Sequence, residues 1–281
     1  MKTQSGYIKR RPFTSFVAMV LLGSLAGSSL VEAAPWGWKW GIRAHKKLPS
    51  HAEVQSALQT VVDGQDNAGF GLDMWATLVN RDGIVCVVAF SGDHRGDQWP
   101  GSRAISAQKA NTANAFSLPG LALSTSNLFT AVQDGQSLFG LQASNPVNPA
   151  VAYRGPAHRF GTRWDPMVRR AIGGVNVFGG GLACYNADGE LVGALGCSGD
   201  TSCTDHIIAW KLRHALNLDN VPAGVAPGLT VTGSDNAIYD IVENATGHPE
   251  SASGWGHPDC GGGQAAIAAD LLNTHPIGPN P

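Results

Sequence analysis

The stretch that most constrains the fold runs from Asn186 to Asp200 and is followed at once by an amphipathic segment, Thr201 to Leu216. It opens with Asn-Ala-Asp-Gly, which is typical of a tight turn because asparagine bonds its own backbone and glycine adopts the left-handed conformation. The apolar residues after the turn predict a strand, and a glycine-rich corner then leads into a helix. The order of turn, strand, corner and helix indicates a sheet with a helix packed on it.

The same kind of turn occurs upstream at Asn80–Gly83, between two apolar runs. The two hairpins predict four strands of one antiparallel sheet, at 72–79, 84–90, 181–185 and 191–195. A capping box at Ser50 and Glu53 marks the start of the first helix. Helical spacing predicts helices at about 50–63, 103–116, 127–137, 204–216 and 264–272.

The N-terminus has the three-part pattern of a secretory signal peptide. Residues 1–12 are basic, residues 13–31 are apolar and uncharged, and Val31-Glu32-Ala33 offers small or aliphatic residues where a signal peptidase reads. We therefore expect cleavage after Ala33 and a periplasmic or secreted protein. A retained membrane anchor is the alternative, which the glycine and serine content disfavours. No membrane span is expected after cleavage.

Without residues 1–33 the chain has 15 basic and 20 acidic residues, a net charge of −5. This balance does not favour binding to nucleic acid or to an anionic membrane. The sequence predicts a Trp-rich arm at 34–49 and a main domain at 50–220. An insertion rich in proline and arginine occupies about 142–174, and a Gly/Pro-rich extension occupies 221–281.

Five cysteines in an exported chain allow at most two disulfides. We expect Cys260, in the C-terminal extension, to pair with Cys203 or Cys197, which flank the glycine corner. Cys86 lies in an apolar run and is expected to be a buried, inert thiol. No C-x-x-C pair supports a metal site made by cysteines.

Four segments in order carry a resemblance to a known family. They are Val79–Val88, the Lys-Ala-x-Thr-Ala helix within Ala107–Ala113, Gly179–Gly181, and Leu191–Gly199 with its Gly-x-Ser-Gly corner, followed by Asp205. In these segments the chain resembles the GlcG/HbpS family of haem-binding proteins and the related C-terminal domain of PduO proteins.

The resemblance implies an α/β (α+β) fold, a three-layer sandwich in which helices flank a five-stranded antiparallel sheet. It also implies a homo-oligomer and haem, or another tetrapyrrole, as ligand. The leading hypothesis is an exported haem-binding protein that senses, stores or degrades haem. One alternative is an accessory protein or enzyme acting on a small organic acid in a catabolic pathway, whose carboxylate the glycine corner and the arginines of the insertion would hold. The other alternative is a structural secreted module.

Haem needs an apolar slot, an iron ligand and a cation near its propionates. His94 is the first candidate iron ligand, with Arg95 or Arg103 near a propionate. His51 and His206 are the other candidate ligands, and each of the three histidines could instead have no role in binding. Lys109 and Thr112 share a helix face and match the family, so they either line the ligand pocket or are structural.

The glycine corner Gly196–Gly199 either binds an anion through its backbone amides or only lets a helix and a strand pack closely. A serine hydrolase is disfavoured because the nucleophile elbow needs glycine two residues after the serine, where this chain has Asp200. The two hairpins also contradict the parallel sheet of that class. No catalytic residue is assigned.

Overall fold

The computed structural model describes residues 48–228, 231–245, 247 and 249–278. The predicted signal peptide and the predicted Trp-rich arm up to residue 47 lie outside the described residues. Within those ranges, no helix has both the length and the apolar character needed to cross a bilayer.

The two predicted hairpins form one antiparallel sheet. Its strands are β1 (Trp75–Asn80), β2 (Val85–Phe90), β3 (Gly181–Tyr185) and β4 (Leu191–Ser198), in the spatial order β2-β1-β4-β3. The turns form as their sequence indicates, because Asn80 Oδ1 accepts the backbone N–H groups of Asp82 and Ile84, both at 3.0 Å. Asn186 accepts two backbone N–H groups in the same way in the second turn.

Helices cover both faces of the sheet. In chain order the helices are α1 (His51–Asp63), α2 (Ser102–Phe116), α3 (Leu141–Ser144), α4 (Pro149–Ala152), α5 (Ser202–Ala215) and α6 (Gln264–Thr274). Ala76 and Leu78 of β1 pack with α1, α5 and α6, whereas Trp75 and Val79 pack with α2 on the other face. The alternation follows from the two-residue period of a strand and produces the three layers.

The glycine corner lets β4 and α2 meet backbone to backbone. A Cβ at Gly196 would lie 2.0 Å from the carbonyl oxygen of Ser106, so only glycine fits there. This geometry favours the close-packing interpretation of the corner.

The expectation of five strands is wrong. Among the residues that the structure describes, the main sheet has four strands, and a separate two-stranded sheet is formed by β5 (Ile241–Glu243) and β6 (Pro249–Ser251). The insertion accounts for one edge of the main sheet, because the backbone N–H of Arg169 and the carbonyl of Arg170 bond to Val85 of β2. The insertion thus contacts the free edge of β2 through a turn that bonds only Val85, and it does not form a fifth strand there.

The helix predicted at 127–137 is also not found. The segment forms turns around a short 3-10 helix at Thr130–Val132. Gly135 adopts a φ of 77°, which an α-helix does not accommodate, and Asn127 bonds Ser124 through its side chain. The predicted helices at 50–63, 103–116, 204–216 and 264–272 are confirmed to within two residues at each end.

A disulfide joins the C-terminal extension to the start of α5. Of the two predicted pairings, the structure contains Cys203–Cys260, and Cys197 is a buried free thiol in the core of the sheet. Cys86 is half-buried rather than fully buried, and burial raises the pKa of its thiol to about 12. The same cause raises the pKa of Cys184 to about 12, so both thiols are protonated at neutral pH.

Candidate functional site

A mainly apolar cavity of about 610 Å³ lies between the loop after β2, the first turn of α2 and the insertion. The loop contributes a histidine and an arginine, and the insertion contributes aromatic side chains. The cavity is lined by Trp75, His94, Arg95, Gly96, Pro100, Gly101, Arg103, Ala104, Tyr153, Ala157 and Phe160.

The apolar wall is fixed by close contacts between distant parts of the chain. The Trp75 indole N–H donates to the carbonyl oxygen of Trp99 at 3.0 Å, and the Phe90 ring packs edge-on against Trp75 at 5.4 Å. Gly161 of the insertion passes directly over these rings, where a Cβ would lie 2.2 Å from Phe90. The packing of this wall therefore depends on a glycine at position 161.

His94 lines the cavity with most of its side chain in solvent. Its side chain is 83% exposed, and Nδ1 lies 3.8 Å from the Asp97 carboxylate. The backbone N–H of His94 donates to Asp97, and the carbonyl of His94 accepts from Gln98. These backbone bonds hold the loop, and among the described residues no partner occupies the Nε2 atom of His94.

Arg103 also lines the cavity, but its guanidinium is already bound. It is buried, forms a bidentate ion pair with Asp165 of the insertion, and donates to the carbonyl oxygen of Ala152 at 2.7 Å. It also stacks on the Phe160 ring at 3.7 Å. Arg103 therefore holds the insertion against α2 and shapes the cavity, which leaves Arg95 as the exposed cation of the lining.

His51 lies close to the cavity without lining it. Its Nε2 is 2.8 Å from the carbonyl oxygen of Gly161, so the ring bonds the segment that covers Trp75 and Phe90. This contact positions the apolar wall.

Lys109 lies outside the cavity, in a buried ion pair. Its Nζ lies 2.5 Å from Asp205 and 3.0 Å from the carbonyl oxygen of Cys197. Burial raises the pKa of Asp205 to about 6, although the nearby charge of Lys109 opposes this increase. Burial also lowers the pKa of Lys109. Asp205 accepts the backbone N–H groups of Gly199 and Asp200, so the amides of the glycine corner bind a carboxylate of the same chain.

Thr112 and His206 are also buried away from the cavity. The Thr112 hydroxyl donates to Gln108 and accepts from the backbone N–H of Asn176. His206 Nε2 accepts the backbone N–H of Ala237 at 3.1 Å, and burial lowers the pKa of the ring to about 4, which keeps it neutral. The structure thus brings His94 and Arg103 together at the cavity, with His51 beside it, and places Lys109, Thr112 and His206 elsewhere.

The aromatic lining was missed by sequence reasoning. Tyr153 and Phe160 belong to the insertion, of which only the arginines were considered for binding, and Trp75 was seen only as a strand residue. Each lies more than 50 residues from at least one other wall residue, so no local spacing could join them. The one available signal was that the insertion combines aromatic residues with arginine.

Comparison with known proteins identifies one family. A family model named HbpS-like, described as "haem degrading protein HbpS-like", matches residues 50–212, more than half of the chain. A search of the curated proteins found no match.

Several solved structures are similar to the chain. The Klebsiella pneumoniae protein ORFY is 21% identical, with 62% of this chain and 88% of that chain covered and a TM-score of 0.40. A PduOC–haem complex is 23% identical over 59% and 91% of the chains, with a TM-score of 0.41. A double mutant of Streptomyces reticuli HbpS is 16% identical over 71% and 99%, with a TM-score of 0.35.

Proposed function

The chain belongs to the HbpS-like family, and we propose that it binds haem in the cavity lined by Trp75, Tyr153 and Phe160. The observation that carries the proposal is the combination, at one cavity, of aromatic walls with an exposed histidine and an exposed arginine. The family description supplies the identity of the ligand.

The residues present fit a haem group. Haem requires apolar surroundings for its ring, a nitrogen, oxygen or sulfur ligand for its iron, and cations for its propionates. The cavity supplies an apolar wall, and its volume of about 610 Å³ lies within the range of small-molecule sites, roughly 300–1,000 Å³. The donor set is an imidazole, at His94, and a phenol, at Tyr153.

We assign His94 as the iron ligand and Arg95 as the partner of a propionate. Arg103 acts indirectly, because its ion pair with Asp165 holds the aromatic insertion in place. Bound haem would supply the redox-active iron of the site. Sensing, storage and degradation of haem all begin from this bound state, which is therefore the state to measure.

The alternative of a small organic acid has less support. That hypothesis placed the carboxylate between the glycine corner and the arginines of the insertion. At the corner, the amides of Gly199 and Asp200 already bind Asp205. An added carboxylate would have to displace a buried one that is paired with Lys109.

Haem titration of residues 34–281, followed by the Soret absorbance, tests the proposal. We expect saturation near one haem per chain, and we expect His94→Ala to shift the Soret band and to weaken binding at least tenfold, about 1.4 kcal/mol. The fold should be unaffected, because the His94 side chain is 83% exposed.

His158→Ala is the matched control, since His158 is an exposed histidine of the insertion that does not line the cavity. Its titration should match that of the unaltered protein. Tight binding with an unchanged spectrum in His94→Ala would move the iron ligand to His51 or Tyr153. No saturable binding by the unaltered protein would contradict the proposed function itself.

We also propose that the chain is exported and cleaved after Ala33. The N-terminal pattern and a disulfide between Cys203 and Cys260 support export, because disulfides persist in oxidising compartments. Mass spectrometry of the protein recovered outside the cytoplasm should give a chain that begins at Ala34 and a cross-linked peptide pair containing Cys203 and Cys260. An intact N-terminus on a membrane-bound protein would indicate the anchor instead.

A further inference from the structure

The insertion carries a concentration of positive charge that the net charge of the chain conceals. Residues 142–174 contain five arginines and one aspartate, in a chain whose remaining charge is predominantly negative. The one aspartate, Asp165, is buried in its ion pair with Arg103 and cannot neutralise an exposed arginine. All five arginines are exposed, and no ion pair among the described residues involves them: Arg154, Arg159, Arg163, Arg169 and Arg170.

Four of the five arginines lie in segments that contact the two ends of the edge strand β2. Arg169 and Arg170 lie beside Val85, the first residue of the edge strand β2. Gly161, which lies between Arg159 and Arg163 in sequence, packs on Phe90, the last residue of the same strand. Six strand residues span roughly 17 Å at about 3.3 Å per residue, so roughly this distance separates the backbone at Arg169 and Arg170 from Gly161.

Exposed aromatic side chains accompany these charges. Trp164 is 64% exposed and Tyr153 is 67% exposed, and the Arg163 guanidinium lies 4.9 Å from the centre of the Trp164 ring. Tyr153 also lines the apolar cavity, so the cavity and the aromatic surface are continuous. Folding does not require this exposure, because the inward side of the insertion is already anchored by Phe160, Asp165 and Met167.

We propose that this surface, formed by the five arginines with Tyr153 and Trp164, docks the protein on an anionic lipid bilayer. Arginine pairs with lipid phosphate groups, and tryptophan and tyrosine favour the boundary between water and hydrocarbon. The acidic remainder of the chain would orient the molecule with the insertion towards the lipid. Docking in this orientation places the apolar cavity next to the bilayer. The inference does not depend on which ligand the cavity binds.

A lipid surface accounts for more of these features than a nucleic acid does. Proteins that bind single strands align aromatic residues within a basic groove. Here the arginines flank a strand edge, and the cavity beside them is lined mainly by apolar groups, which suits contact with an apolar phase.

Co-sedimentation of residues 34–281, which contain every described element, with lipid vesicles tests the proposal. The probes are phosphatidylcholine vesicles with and without phosphatidylglycerol, at about 0.05 M and about 0.5 M salt. We expect binding only to vesicles that contain phosphatidylglycerol, and loss of binding at the higher salt concentration. Each neutralised arginine should lower the partition coefficient about fivefold, so Arg159→Gln/Arg163→Gln and Arg169→Gln/Arg170→Gln should each lower it about 25-fold.

The matched control changes the net charge equally at exposed positions outside the insertion. Gln136→Glu/Ala252→Glu also lowers the net charge by two units and should weaken binding much less than the two double arginine variants do. Trp164→Ser should weaken binding to phosphatidylglycerol vesicles even at the low salt concentration. All variants alter exposed side chains, and thermal unfolding should confirm that they fold.

Three outcomes would overturn the proposal. They are equal binding to neutral vesicles, equal losses in the control and the arginine variants, and binding to a single-stranded oligonucleotide without binding to vesicles. Haem binding by the same variants is measured in a separate titration. A lack of lipid binding would therefore not contradict the proposed haem-binding function.

Discussion

Asp205→Ala is expected to lower the free energy of unfolding by about 3–5 kcal/mol, because it leaves the charge of Lys109 buried without a partner. Both side chains are almost completely buried, and Nζ lies 2.5 Å from the carboxylate. The substitution also leaves the backbone N–H groups of Gly199 and Asp200 without their acceptor. Urea unfolding at pH 7, followed by circular dichroism, measures the loss.

A double variant tests whether the unpaired charge and the lost amide acceptor together account for the loss of stability. Lys109→Met/Asp205→Asn removes both charges and keeps an oxygen for Gly199 and Asp200. Replacing a buried pair by neutral groups of similar size is often close to neutral, so we expect the double variant to recover most of the stability lost in Asp205→Ala. A double variant as unstable as the single one would show that neither the unpaired charge of Lys109 nor the lost acceptor for the two amides causes the destabilisation.

The dependence of stability on pH gives a second measurement of the same pair. Burial raises the pKa of Asp205 from 3.8 to about 6, so between these values the unfolded chain binds fewer protons at this group than the folded chain. The contribution of Asp205 to stability therefore falls as pH rises through this window and is constant above it. Asp205→Asn should remove this part of the slope.

The hairpins were predictable because their determinants are local. Each turn depends on one asparagine that bonds backbone groups two and four residues ahead, and on a glycine three residues after that asparagine. The helices with clear apolar periodicity were predictable for the same reason. The segment 127–137 misled because its apolar residues suggested a helix that Gly135 and the Asn127 side-chain bonds prevent.

The sheet edge and the cavity were less predictable because they depend on contacts between distant residues. The insertion contacts Val85 of β2 through Arg169 and Arg170. The family resemblance concerns the shared core and gave no information about this contact. The sequence placed His94 and Arg103 among the candidates. Only the structure shows that Asp165 engages Arg103 and that Phe160 completes the wall. The homo-oligomer that the resemblance implies stays a prediction.

Beyond its helix and its disulfide, the packing of the C-terminal extension was not predictable, because its Gly/Pro-rich composition hides residues that are buried in the domain. Asp235 and Asn236 are buried, and they bond Arg213 of α5 and Asn127 of the segment after α2. Neither contact has a sequence pattern, since each joins an ordinary polar residue to a partner in another element. Composition alone therefore suggested a loose tail where the structure has a packed one.

Asp235→Ala is expected to cost about 3–5 kcal/mol, because Asp235 is the carboxylate that neutralises Arg213 in the core. Arg213 and Asp235 are fully buried and joined by two hydrogen bonds, of 2.6 and 2.9 Å. The guanidinium also donates to the carbonyl oxygen of Ala183 in β3. Arginine stays protonated in proteins, so Arg213 cannot escape the penalty by losing its proton when Asp235 is removed.

The structural consequence should be confined at first to the extension, because Asp235 anchors it to α5. Amide hydrogen exchange of the variant should show lost protection at Ser234, Asn236 and Ala237, with β1 and β4 still protected, in addition to the lower stability measured in urea. Asp270→Ala, at an exposed aspartate of α6, is the matched control and should change stability by no more than about 0.5 kcal/mol. If Asp235→Ala cost no more than this control, water would already reach Arg213, and the disulfide, with the apolar contacts of α6, would carry the attachment of the extension alone.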